Sequence, residues 1–90
     1  MSMLKIQARP EIEGTIRLEV AGRMHANALG DLRRAMDRIR RKRSRVCLDL
    51  SEITLLDRAS ILFLAEQNRD EVELINCPPY LDAWINKPAR

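Results

Sequence analysis

Runs of alternating apolar and polar residues punctuate this chain, and segments of helical period stand between them. TIRLEV (Thr15 to Val20), RVCLDL (Arg45 to Leu50) and VELIN (Val72 to Asn76) each read as a strand. A strand, a helical crossover and another strand make a β-α-β unit, whose strands run parallel and whose crossover is right-handed. Two such units in succession leave few folds open. LKIQA (Leu4 to Ala8) alternates as well, and the turn around Gly14 returns it onto TIRLEV, which predicts an antiparallel hairpin at the start.

Between the second and third strands lies ANALGDLRRAMDRIRRK. Ala28, Leu29, Leu32, Ala35, Met36 and Ile39 recur at the spacing of one helix face. Asn27 suits the N-cap and Asp31 the first turn, while arginine and lysine crowd the last turn, where the helix dipole favours cations. Gly30 weakens this helix by about 1 kcal/mol relative to alanine, too little to cancel the stripe. RASILFLAEQ (Arg58 to Gln67) is a second helix. Pro78 and Pro79 break the fourth strand, and Pro79 starts a last helix that uses Tyr80, Leu81, Trp84 and Ile85.

The resulting order is β-β-α-β-α-β-α, an α/β single domain over residues 1–90 with a four-stranded mixed sheet. One strand face carries Leu4, Ile6 and Ala8, then Ile16, Leu18 and Val20, then Val46, Leu48 and Leu50, then Val72 and Leu74. Its alternates are Lys5, Gln7, Arg17, Glu19, Cys47, Asp49, Glu73 and Ile75, which are mostly polar. A sheet buried on both faces would show continuous apolar strands. Helices are therefore expected on one face only.

Composition narrows the class. Ninety residues support one core, and 46 % hydrophobic with 32 % charged residues suits a globular chain. No run approaches the roughly 18 apolar residues of a membrane span, and MSMLKIQARP has no long apolar segment of the secretory kind, so a cytoplasmic location is expected. Cys47 and Cys77 sit in apolar runs and read as reduced core residues. The net charge of +3 is unevenly spread: RIRRKRSR holds six of the sixteen bases, and the other ten face thirteen acids. Arg38, Arg40, Arg41, Lys42, Arg43 and Arg45 are candidate phosphate contacts for nucleic acid or an acidic surface, although no aromatic residues are interleaved to stack bases.

Parallel sheets place their sites beyond the carboxyl ends of the strands. Two loops, AGRMHAN (Ala21 to Asn27) and SEITLLD (Ser51 to Asp57), should share that end and form one rim. Asp57 reads as the N-cap of the helix that begins at Arg58. A phosphate or metal site there would need a second carboxylate, from Asp49 or Glu52 folded back. Ser60, in the first helical turn, and Ser51 are the candidate phosphorylation sites. His25 is the only histidine and reads as a solvated loop residue. No nucleophile-base-acid order, glycine-rich phosphate loop or metal-spaced cysteine set occurs, so neither an enzyme nor a cofactor is indicated.

EVAGRMHANALGDLRRAM, RVCLDLSEITLLDRAS and VELINCPPYLDAWI resemble the STAS domain, the fold of bacterial anti-sigma factor antagonists. The likeness extends over nearly the whole chain. Its most specific part is valine-x-leucine-Asp-leucine-Ser, a short spacer, then leucine-Asp and a helix. The resemblance implies a non-enzymatic module that binds a protein partner such as an anti-sigma factor through the rim, with His25, Asn27, Asp57, Arg58, Ala59 and Ser60 in the contact. In members that switch, a kinase-type partner phosphorylates a serine two residues after the Asp. Here that position is Ala59, with Arg58 and Ser60 where a small residue and a glycine are usual, and Met24-His25 replacing leucine-Asp in the other rim loop. Alanine has no oxygen to phosphorylate, so the resemblance implies binding without that control. A STAS subunit of a transporter ATPase and a nucleotide or small-ligand sensor are the other roles it leaves open.

Overall fold

The computed structural model describes residues 4–10, 14–70 and 72–81. The elements run β1 (Leu4–Pro10), β2 (Thr15–Met24), a 3-10 turn (Ala26–Ala28), α1 (Leu29–Arg41), β3 (Arg45–Leu56), α2 (Arg58–Arg69) and β4 (Glu73–Ile75). The strands lie in the order β1-β2-β3-β4, antiparallel in the first pair and parallel in the other two. This is the single-domain mixed α/β sheet that the alternation predicts. Residues 79–81 are helical, and the rest of the expected last helix, with Trp84 and Ile85, lies outside the described residues.

Both crossovers put their helices on one side. The α1 stripe of Leu29, Leu32, Met36 and Ile39 and the α2 residues Phe63 and Leu64 close on Leu18, Val20, Val46, Leu48 and Leu50 to form one core. The guanidinium of Arg33 on α1 sits 4.7 Å from the centre of the Phe63 ring on α2, so the helices lie side by side over the sheet. The opposite face carries a ladder of charge. Arg9 reaches Glu19 at 2.7 Å, and Arg17 lies 3.4 Å from Glu19 and 4.0 Å from Asp49. Cys47 and Asp49 belong to this second face yet are buried, because they sit in a central strand with neighbours on both sides. Neither Cys47 nor Cys77 takes part in a disulfide among the described residues.

The strand ends differ from the expectation. Neither β2 nor β3 stops at Val20 or Leu50. They stay paired to Met24 and Leu56, with register shifts after Glu19 and after Gly22. Gly22 has φ +100, a conformation glycine adopts without the clash a Cβ would bring. At both shifts β3 carries one residue more than β2, and an extra residue of this kind bends and twists the strand while pairing continues beyond it. The alternation fails there because a bulge resets it, and so the sequence reads as loop. What remains of the two loops is short: His25 and the 3-10 turn on one side, Asp57 on the other.

Candidate functional site

The two short turns meet. The amide of Asp57 donates to the Met24 carbonyl at 3.2 Å, which closes the β2-β3 pair at its carboxyl end. Asp57 then uses both carboxylate oxygens. Oδ1 accepts from the Ser60 amide at 2.8 Å and so caps α2, as expected. Oδ2 accepts from the Ala26 amide at 2.9 Å, across 31 residues of sequence. One side chain therefore fixes the start of α2 and the turn that leads into α1. Asn27, expected as the cap of α1, does not cap it. Ala26 to Ala28 form a 3-10 turn in which Asn27 is exposed, its side chain makes no capping bond, and the Ala28 amide reaches the His25 carbonyl at 2.8 Å. The partner that satisfies this turn comes from a distant segment, so local pattern could not reveal it.

The electrostatics follow the geometry. Asp57 is held below the ordinary carboxylate range, first by the adjoining Ser60 hydroxyl and then by the amides of Ala26 and Ser60 and the charge of His25, against some desolvation. The Ser60 Oγ itself is buried without a partner at hydrogen-bonding geometry, so it acts on Asp57 by proximity, and the two amides are what hold the carboxylate in place. Asp49 is not a second carboxylate for this site. It accepts from the Ser51 amide at 3.0 Å and from Asn76 Nδ2 at 3.1 Å, on the face away from the helices. Burial pushes Asp49 up, but the Ser51 amide, the Asn76 and Ser51 side chains and the charge of Arg17 outweigh it, and the net shift is downward. Glu52 is exposed and paired in register with Ala21. Among the described residues no group of three or more His, Cys, Asp or Glu side chains gathers as metal ligands.

The rim residues differ sharply in exposure. Asn27, Arg58 and Ala59 are exposed, His25 and Asp57 are half-buried, and Ser60 is fully buried. Of the two candidate phosphorylation sites, Ser51 is exposed and Ser60 is buried. The Ser60 side chain is enclosed, and its backbone amide donates to the Asp57 cap. Helical phase from Asp57 gives the cause, since Ser60 shares a face with Phe63, Leu64 and Gln67.

Sequence reading missed three side chains. Leu55 is 61 % exposed, Leu62 58 % and Tyr80 56 %, and they are the large hydrophobics that the described residues leave in solvent. All three belong to segments at the carboxyl end of the parallel strands. Leu55 stands two residues before Asp57, Leu62 one turn beyond Arg58, and Tyr80 just past β4. Leu55 and Tyr80 could not be told from core residues by composition. Leu62 could: it lies off the stripe that Phe63 and Leu64 define. The six basic candidates are all exposed and lie at the other pole, where α1 ends and β3 begins. Arg43 is in the left-handed region with φ 60, and Arg40 lies 3.7 Å from Asp37.

No family model and no curated protein matches the sequence. Among solved structures, an uncharacterized protein of the DUF3478 family with a SpoIIAA-like fold, from Shewanella loihica PV-4, is similar at a TM-score of 0.53 and 9 % identity. The match covers 79 % of this chain and 61 % of that one, so this chain spans less than two thirds of its neighbour's length. At that identity the likeness is one of fold. The described residues thus have a SpoIIAA-like fold. No helix among them is long and apolar enough to cross a membrane.

Proposed function

We propose that this chain is a non-enzymatic STAS-type interaction module that docks a regulatory protein, of the anti-sigma factor kind, on the rim at the carboxyl end of its parallel strands. The observation that carries this reading is the coincidence of the three exposed large hydrophobics with the clamp made by Asp57. An exposed leucine by itself needs no explanation, but Leu55, Leu62 and Tyr80 in segments at one end, with Arg58 one helical turn from Leu62, have the composition of an interface centre with a charged border. Asp57 supports the surface without belonging to it, because both its oxygens are committed to the backbone.

Control by phosphate at the position two residues past Asp57 is not built in, since Ala59 is exposed but has no acceptor oxygen. Binding is then constitutive, or is governed by how much of each protein is present. Purification of the tagged chain from its host, with mass spectrometry of what remains bound, tests the reading. A partner retained by the wild type should be lost from Arg58→Glu and from Leu62→Glu, both at exposed positions that leave the core intact. A partner that survives both substitutions, or one whose binding depends on a phosphoryl group on this chain, refutes it.

A further inference from the structure

Two crossovers cover only part of the sheet. They carry α1 over β2 and β3 and α2 over β3 and β4, so the helix-side face of β1 and the adjoining half of β2 have no helix above them among the described residues. The consequence is an apolar trough of about 320 Å³ alongside α1. Ile6, Ala8 and Ile16 floor it, Ala35 forms its wall, and Arg38 and Lys42 stand on its lip. Ile6 and Ile16 are half-buried and Ala8 is exposed, on strands whose other inward residues are in the core.

The two flanks of α1 are unlike. The flank toward α2 is occupied: Arg33 lies on Phe63, and Asp37 pairs with Arg40 at 3.7 Å. Asp31 is also spent, on Arg34. The flank over the trough presents Ala35, Arg38 and Lys42, spaced so that they form one row along the helix. Neither Arg38 nor Lys42 has a carboxylate within ion-pair distance among the described residues. The row therefore offers a small residue, which lets another backbone come close, followed by two cations with no ion-pair partner among the described residues.

We infer that this trough is a second docking site and that it takes an amphipathic helix from a protein partner, with an apolar stripe bordered by carboxylates. Such a helix would lie beside α1 as a third member of the helical layer, its stripe on Ile6, Ala8 and Ile16 and its acids on Arg38 and Lys42. A second copy of this chain fits less well. A two-fold contact through the same patch would set Arg38 and Lys42 against themselves. The site is separate from the rim: it faces sideways from the sheet and opens toward the basic pole.

The test uses isotope-labelled full chain and a synthetic helical peptide of about eighteen residues, some five turns, with leucine at helical spacing and glutamate on both borders. A matched peptide has lysine in place of glutamate. The acidic peptide should shift the amide signals of Ile6, Ile16 and Ala35 and bind at least about tenfold more tightly than the basic one. Arg38→Glu with Lys42→Glu should reverse that preference. Arg38→Gln with Lys42→Gln should give similar affinity for both, which guards against a fold disturbed by new carboxylates. Arg58→Glu should leave the peptide's affinity unchanged, so a failure here is distinct from a failure at the rim. Equal binding of the two peptides by the wild type, or shifts confined to the rim, overturns the inference. So does a trough that answers decanoate and not the peptide, or self-association of the wild type that the double substitution abolishes.

Discussion

Replacing Asp57 with alanine removes two bonds at once. The cap on α2, Oδ1 to the Ser60 amide at 2.8 Å, is worth about 1 kcal/mol. The tether, Oδ2 to the Ala26 amide at 2.9 Å, is a bond to a charged acceptor but a partly solvated one, and contributes about another 1 kcal/mol. Asp57→Ala should therefore destabilise the domain by about 2 kcal/mol at pH 7, a fall in melting temperature on the order of 10 °C for a chain of this length. Asp57→Asn separates the two contributions. An amide presents one acceptor and one donor where the site holds two N–H donors, so one bond survives and the loss should be about 1 kcal/mol. Asp57→Ser can cap the helix but is too short to reach Ala26, and should also lose about 1 kcal/mol. Equilibrium unfolding in urea measures all three, provided the slope is unchanged. Amide exchange adds the location: Ala26 and Ser60 should both exchange faster in the alanine variant, and Ala26 should be the faster of the two in the serine variant. If alanine and asparagine cost the same, or if alanine costs under about 0.5 kcal/mol, the double clamp is wrong.

Acid should weaken the fold through Asp49 and Asp57, whose folded pKa values lie below the ordinary carboxylate value near 3.9. A depressed folded pKa means that the unfolded chain binds more protons, so the contribution is complete above about pH 5 and is lost as pH falls through the depressed values. Urea midpoints at pH 7 and pH 3 should differ, and by less in a chain carrying both Asp49→Asn and Asp57→Asn; a wild-type midpoint independent of pH would contradict this. Gly22→Ala places a Cβ on a backbone with φ +100 and should cost roughly 1–2 kcal/mol by the same unfolding assay, with no loss showing that the backbone there relaxes. Leu64→Ala, at a fully buried site, should cost about 2–5 kcal/mol, whereas Leu62→Ala, two residues earlier and 58 % exposed, should stay within about 0.5 kcal/mol. A phosphopeptide map of the chain from its host should find no phosphate on Ser60, which is buried, and of the two candidate serines any modified one should be Ser51 in β3.

Periodicity alone carried a great deal. The order of elements, the one-sided apolar face and the stripe of Leu29, Leu32, Met36 and Ile39 are all local patterns, and each reappears in the core. Parallel pairing with right-handed crossovers then sets both helices on the same side, given that the strands lie in sequential order. The capping role of Asp57 was readable too, because a cap acts within three residues of itself. Four things were decided only in three dimensions. The continuation of β2 and β3 to Met24 and Leu56 runs through two register shifts at which β3 carries an extra residue, and these interrupt the alternation by which a strand is recognised. The bond from Asp57 to the Ala26 amide joins residues 31 apart, and no spacing rule reaches that far. The exposure of Leu55 and Tyr80 follows from which neighbours pack above them, which hydrophobicity does not encode. The trough beside α1 is set by where the helical layer ends, a property of the strand order as a whole and of no single segment. Sequence fixes what each segment prefers within a few residues, but contact between remote segments, and the surface left over when they pack, belong to the assembled fold.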